Sequence, residues 1–147
     1  MNKISKFIGK YRFLSNFYVE FPIFVEYNGK RYRSVEHAFQ SAKCVNESDK
    51  DLFLVIESPM DAKFFGKRVD LRPDWETIKL KVMEDCIRSK FKNKKLAKKL
   101  IDTGDSVLEE GNDWNDTFWG VCNGIGENNL GKILMKVRGE LQNEVNS

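Results

Sequence analysis

IFVEYNGKRYRSVEHAFQSAKCV, residues 23–45, sets the two periodicities of the chain side by side. Ile23, Val25 and Tyr27 alternate with Phe24 and Glu26, and Asn28-Gly29 then leads into Lys30-Arg31-Tyr32. A two-residue Asn-Gly link between such runs predicts a hairpin, because both turn residues take positive φ. Ser34 is placed to cap a helix reaching to about Val45, with Val35, Phe39 and Ala42 along one side.

Working outward, a second helix is expected near Asp49–Glu57. Ser58-Pro59 reads as the N-cap and first position of a short third helix, with Asp61 near its positive end and Gly66 at its stop. Asp74 opens the next, where Trp75, Ile78, Val82, Met83 and Cys86 give helical spacing. Leu96, Ala97, Leu100 and Ile101 form another stripe, ended by Thr103-Gly104. Asn128 or Asn129 opens the last helix, with Leu130, Ile133, Leu134, Val137 and Leu141 on one face. Short extended pieces are expected at Val107-Leu108 and Phe118–Val121. The fold class that follows is α+β, a helix-rich single domain over 1–147 with a small antiparallel β element.

Composition bounds the rest. The 147 residues are 41% hydrophobic and 12% aromatic, enough for a real core and against wholesale disorder. No apolar run approaches the roughly 18 residues of a membrane span, and MNKISKFIGKYRF lacks a secretory cleavage pattern. Cys44, Cys86 and Cys122 are odd in number and far apart, which predicts reduced thiols and a cytoplasmic protein, or a host-cytoplasmic one if phage-encoded. A net charge of +3 names no partner. Its distribution is uneven: residues 87–101 carry seven Lys/Arg and no acid, and from Asp102 onward nine acids face Lys132, Lys136 and Arg138. The plain reading of the basic block is a solvated helix face; the sharper one is a phosphate or nucleic-acid footprint.

Chemistry concentrates in two places. His37 is the one histidine and there is no Cys-x-x-Cys, so neither a metal site nor a cofactor is expected. Gly124-Ile125-Gly126 lacks the third glycine of a dinucleotide loop and reads as a flexible turn into a helix whose unpaired N–H groups would suit an anion. On the helix from Ser34, Glu36, Gln40 and Lys43 lie at i, i+4 and i+7 and share a face. Spacing alone favours an ordinary solvated face over a substrate-facing stripe. The second concentration is Asn112-Asp113-Trp114-Asn115-Asp116-Thr117-Phe118-Trp119-Gly120. Aromatic plates beside carboxylates suit a planar base joined to a sugar, where an anion supports charge developing at the anomeric carbon. Taken singly, Trp75, Trp114 and Trp119 are each explained as core or rim anchors.

Several motifs in order carry a family resemblance over nearly the whole chain. They are Phe13-Leu14-Ser15-Asn16-Phe17; Ser34 through Lys43; Gly66-Lys67-Arg68 with Leu71-Arg72-Pro73-Asp74-Trp75; Asp116 through Gly120; and Gly126 through Gly131, followed by Leu134-Met135 and Arg138. Together they resemble the NADAR family of YbiA-like N-glycosidases. The segment Val121-Cys122-Asn123-Gly124 departs from that pattern.

The resemblance implies an N-glycosidase cutting a ribosyl C1′–N bond. The substrates implied are phosphorylated ribosylaminopyrimidine intermediates of riboflavin synthesis or ADP-ribosylated guanine in DNA, the latter beside an ADP-ribosyltransferase toxin. It points to Glu36 and Asp116 as catalytic. Arg12, Asn16, Gln40, Lys43, Arg72, Trp75, Trp119, Gly120 and Asn128 are the substrate-binding residues. In this scheme one carboxylate activates water and the other supports the oxocarbenium-like transition state. Trp75 or Trp119 stacks on the base, and Lys43, with Arg12 or Arg72, holds phosphate. Residues 88–99 would contact DNA in the ADP-ribosylguanine case. Cys122 invites a nucleophile reading, but ribosyl hydrolysis needs none and no histidine stands near it in sequence. The alternative class is a non-catalytic ADP-ribose or nucleotide-binding module using the same aromatics and cations.

Overall fold

A computed structural model describes residues 2–147. The elements run β1 (Lys3–Ile4), a 3-10 helix (Gly9–Leu14), β2 (Val25–Tyr27), β3 (Lys30–Tyr32), α1 (Val35–Ala42), α2 (Glu47–Val55), α3 (Pro59–Gly66), α4 (Trp75–Lys90), α5 (Lys94–Ile101), β4 (Val107–Leu108), β5 (Gly111–Asn112), β6 (Val121–Cys122) and α6 (Asn129–Asn146). The helix-rich α+β class is as expected. The chain separates into two compact units, Asn16–Lys90 and the N-terminal residues to Ser15 together with Phe91–Ser147. Each is described by itself.

In the unit Asn16–Lys90, local chemistry sets the elements. Asn28 and Gly29 take φ of 50° and 78°, and β2 pairs antiparallel with β3 in the register Val25 to Tyr32 and Tyr27 to Lys30. The Ser34 hydroxyl accepts from the His37 N–H at 3.1 Å, capping α1. Ser58 does the same for Asp61 in α3, with Pro59 at the first helical position where no N–H is wanted. Asp74 occupies the N-cap position of α4, its carbonyl accepting from Ile78 N–H at 3.2 Å, while its carboxylate takes the Arg72 guanidinium at 2.6 and 3.1 Å. The centre of this unit is α1, packed on by α2, α3, α4 and the hairpin. Every residue of α1 is buried. Lys90, at the end of α4, is buried too, and burial pulls its ammonium down to about 7.

In the other unit, α5 is capped by the Asn93 side chain on Leu96 N–H at 3.0 Å and buries Leu96 and Leu100. It packs with α6, which buries Leu130, Ile133, Leu134, Val137 and Arg138. Arg138 Nη1 donates to Thr103 Oγ1 at 2.9 Å and to the Ser106 carbonyl at 2.8 Å. A cation is thus held just past the C-terminal end of α5, where helix carbonyls favour it. The β element differs from the expectation. The hairpin is antiparallel, but β1 pairs with β4 and β5 with β6 in parallel. β1 and β4 are distant along the chain and β5 and β6 close, but all four strands are two residues long, too short to leave a period in the sequence.

Candidate active site

The first constellation belongs to the unit Asn16–Lys90. Glu36 and Gln40 are 7% and 4% exposed, so the solvated-face reading of this stripe is overturned: the face looks into neighbouring helices instead of water. Gln40 Nε2 donates to Glu36 Oε2 at 2.5 Å. An ionised carboxylate inside a protein is costly without such donors. Lys43, at the C-terminal cap, is half-buried; burial lowers its pKa and the Glu36 charge raises it part of the way back. Its Nζ lies 5.9 Å from the centre of the Phe39 ring. Asn16 approaches the same helix, its carbonyl accepting from the Glu36 N–H at 3.1 Å and its Nδ2 meeting Met83 Sδ at 3.5 Å. Two side-chain acceptors in the described residues are buried without a donor, Asn16 Oδ1 and Gln40 Oε1. Both belong to residues bonded to Glu36.

Other residues of this unit are occupied differently. Trp75 is 5% exposed, its indole tilted on Phe39 with centroids 5.0 Å apart. Arg72 lines a separate cleft of about 90 Å³ with Tyr27, Lys30 and Lys50, and its guanidinium carries the Asp74 carboxylate. His37 is fully buried. Its Nε2 lies 3.0 Å from the Ile56 carbonyl, which only accepts, so this nitrogen bears the proton and Nδ1 takes the Ser34 hydroxyl at 2.7 Å. Burial lowers its pKa. It is a structural, neutral histidine, both ring nitrogens being engaged within this unit.

The second constellation belongs to the unit containing Phe91–Ser147. Asp116 Oδ1 accepts from the N–H groups of Phe118 at 3.2 Å and Trp119 at 2.9 Å. This Asx turn fixes one oxygen; among the described residues the other takes no hydrogen bond. Asn112 holds the loop from the opposite side. Its Oδ1 accepts from Asp116 N–H at 3.0 Å, and its Nδ2 donates to the Asp116 carbonyl at 2.9 Å and Glu110 Oε2 at 3.0 Å. Trp119 is half-buried and meets Phe118 edge-on at 4.8 Å, while Trp114 is exposed. Arg12, on the 3-10 helix, is exposed.

Gly120 and Asn128 have packing reasons for their identity. A Cβ on Gly120 would stand 2.1 Å from the Glu110 carbonyl, a backbone atom that cannot yield. Asn128, with φ of 55°, clamps two backbone groups: Oδ1 accepts from Glu110 N–H and Nδ2 donates to the Leu108 carbonyl, each at 2.9 Å.

Two expectations change here. The N–H groups of Asn128, Asn129 and Leu130 donate to the carbonyls of Gly120, Phe118 and Trp119. The start of α6 therefore has no open N–H groups at these positions for an anion; the loop's own carbonyls fill the place. The segment before it is an ordered turn, Cys122 and Ile125 exchanging backbone hydrogen bonds at 2.9 and 3.0 Å across Asn123-Gly124. The basic block over 88–99 also shrinks. Lys90 is buried and Arg88 meets Glu84 at 2.5 Å, leaving Lys92, Lys94, Lys95, Lys98 and Lys99 exposed, with Lys98 on Asp102 at 2.9 Å. Among the described residues no group of three or more His, Cys, Asp or Glu is placed to hold a metal ion, and no helix is long and apolar enough to cross a membrane.

Fold and geometry define a helix-rich α+β protein that buries a carboxylate–amide pair in one unit and pins an aspartate by an Asx turn in the other. The chain belongs to the NADAR domain family, whose profile matches residues 6–142. It is 37% identical over 131 residues to a Shigella boydii protein named N-glycosidase YbiA, covering 86% of this chain and 79% of that one. An N-glycosidase of Nostoc punctiforme is 35% identical over 119 residues, 76% of each. A Vibrio vulnificus riboflavin biosynthesis protein is 37% identical over 134 residues, 88% of this chain but 35% of its own length. The NMR structure of Escherichia coli YbiA superposes with a TM-score of 0.84 at 32% identity, covering 99% of this chain and 89% of that one.

Proposed function

We propose that the chain is an N-glycosidase that hydrolyses the C1′–N bond of a phosphorylated ribosyl compound. The observation that carries this reading is Glu36, a carboxylate buried on α1 with an amide donor 2.5 Å away and a half-buried ammonium beside it. A carboxylate is costly to bury unless it is hydrogen-bonded or used, and a buried carboxylate beside a second ionisable group is a functional-site candidate. Cleavage of a ribosyl C1′–N bond builds positive charge on C1′ and O4′, and a fixed, poorly solvated anion lowers that barrier more than water does. Glu36 suits this role. Asp116, with one oxygen held and the other open, suits activation of the attacking water. The names of the relatives support the reaction class.

Lys43, with Arg12 or Arg72, would hold phosphate; the Arg72 guanidinium also carries Asp74. Trp119, less buried than Trp75, is the better plate for a base. The riboflavin-related name of one relative favours an aminopyrimidine leaving group. A second substrate, ADP-ribosylated guanine in DNA, is favoured by the exposed lysines of α5, a surface suited to a phosphate backbone. With that substrate an ADP-ribosyltransferase toxin would be the natural counterpart.

The test is mass-spectrometric detection of the freed base from a 5-phosphoribosyl aminopyrimidine, from ADP-ribosylated guanine DNA and from NAD, with Glu36→Gln alongside. Release by the wild type and loss in the variant is the expected result. Ligand retention without product from any substrate would point to a binding module instead.

A further inference from the structure

Gly66 ends α3 with a helical backbone, so no positive φ calls for glycine at that position. In the body of a helix glycine is about 1 kcal/mol worse than alanine. The reason for its presence is therefore space. A Cβ built on Gly66 would stand 1.9 Å from Gln40 Oε1, 2.6 Å from its Cδ and 3.2 Å from its Cγ. No backbone atom is among those nearest neighbours; the conflict is with one side chain. That side chain is the one whose Nε2 donates to Glu36.

The far end of Gln40 is held in an unusual way. Its Oε1 is buried and takes no hydrogen bond, and it lies where a Cβ on Gly66 would stand. The amide's direction is thus set by the Glu36 carboxylate on one side and by the missing methyl group on the other.

We propose that Gly66 is a positioning residue for the hydrolysis: it admits the Gln40 amide, and Gln40 in turn fixes the Glu36 carboxylate. The inference rests on the reading of Glu36 as the catalytic anion. A methyl group at residue 66 pushes a flexible side-chain end aside without displacing backbone. The consequence shows in turnover and in the Gln40 signals: Gly66→Ala lowers kcat by about tenfold to a hundredfold, the scale of a misplacement near 1 Å in a catalytic group, and lowers Tm as well, because the buried Gln40–Glu36 hydrogen bond is strained.

Four purified full-length proteins decide it: wild type, Gly66→Ala, Gln40→Ala and the double variant. Tm, kcat and KM are measured on the 5-phosphoribosyl aminopyrimidine, and the Gln40 side-chain amide signals by ¹⁵N NMR. The relay predicts that Gly66→Ala lowers kcat with little change in KM and shifts the Gln40 signals. In the Gln40→Ala background, where the space is vacated, adding Gly66→Ala costs nothing further. Wild-type kcat in Gly66→Ala, unmoved Gln40 signals, or losses that multiply in the double variant would each overturn it. Should Gly66→Ala not fold, the comparison of the double variant with Gln40→Ala decides in the same way. The NMR arm needs no turnover, and Glu36→Gln run in parallel separates the two readings: retained activity there removes the catalytic role of Glu36, whereas its loss beside an unaffected Gly66→Ala removes only the relay.

Discussion

Replacing Asn112 with alanine should loosen the loop that presents Asp116, and the magnitude follows from its bonds. The side chain accepts from Asp116 N–H at 3.0 Å and donates to the Asp116 carbonyl at 2.9 Å and to Glu110 Oε2 at 3.0 Å. Contacts to Trp114 N–H and the Glu110 carbonyl, at 3.3 and 3.4 Å, are longer and weaker. Two neutral bonds at about 1 kcal/mol each and one to a carboxylate at roughly 1.5–3 set an upper limit near 4–5 kcal/mol. The groups are only half-buried, so water recovers part of this, and a loss of about 2–3 kcal/mol is expected. For a chain of this size that lowers Tm by roughly 6–12 °C. Asn112→Asp sharpens the test. It keeps both acceptor contacts, loses both donors and sets a second carboxylate against Glu110, so at neutral pH it should do no better than alanine. Thermal unfolding by circular dichroism reads both variants, and kcat should fall as the backbone of Asp116 loses its hold. A Tm change below about 2 °C in Asn112→Ala, or wild-type stability in Asn112→Asp, would refute the keystone role.

Two further outcomes follow from buried groups. His37 is held neutral with its pKa below the ordinary histidine value. The unfolded chain therefore binds this proton first, and stability falls as pH drops through about 6.5, by at most about 1.4 kcal/mol per pH unit until the folded imidazole also protonates. As the one histidine of the chain, it gives a direct NMR titration; a midpoint at or above 6.5 in the folded protein would contradict the assignment. Arg138→Met removes two donors from the buried Ser106 carbonyl and Thr103 hydroxyl and should cost about 2–3 kcal/mol in a urea titration; an unchanged midpoint would show that the pair is not supporting α5 and α6.

What was legible in the sequence was what local chemistry determines. Asn28-Gly29 announced the hairpin because positive φ at two successive residues suits few others. Ser34 and Ser58 announced α1 and α3 because a hydroxyl serves the free N–H groups of a first turn. Asn123-Gly124 carries the same signal as Asn28-Gly29 and closes a turn in the same manner, although the glycine spacing around it predicts a flexible turn. Burial of Glu36 and Gln40 was not legible. Helical spacing says which residues share a face, and only tertiary packing says what that face meets. The parallel pairs of β1 with β4 and β5 with β6 had no local signature for the same reason. Asn112 stands in the aromatic–acidic loop and Asn128 at the start of the last helix, but the clamp of Asn128 on Leu108 and Glu110 leaves no spacing signal, and neither does the hold of Asn112 on Asp116. Gly66 reads in the sequence as a helix stop, and the space that its missing Cβ leaves for Gln40 has no local signature.

The central claim is that Glu36 is a buried anion serving C1′–N cleavage. Its most direct test is single-turnover release of the base from a 5-phosphoribosyl aminopyrimidine by wild type and Glu36→Gln, both verified as folded. The account predicts free base from the wild type and a rate reduced by about 10² or more in the variant, the scale on which loss of a preorganised electrostatic contact acts. Equal rates in the two proteins would contradict it.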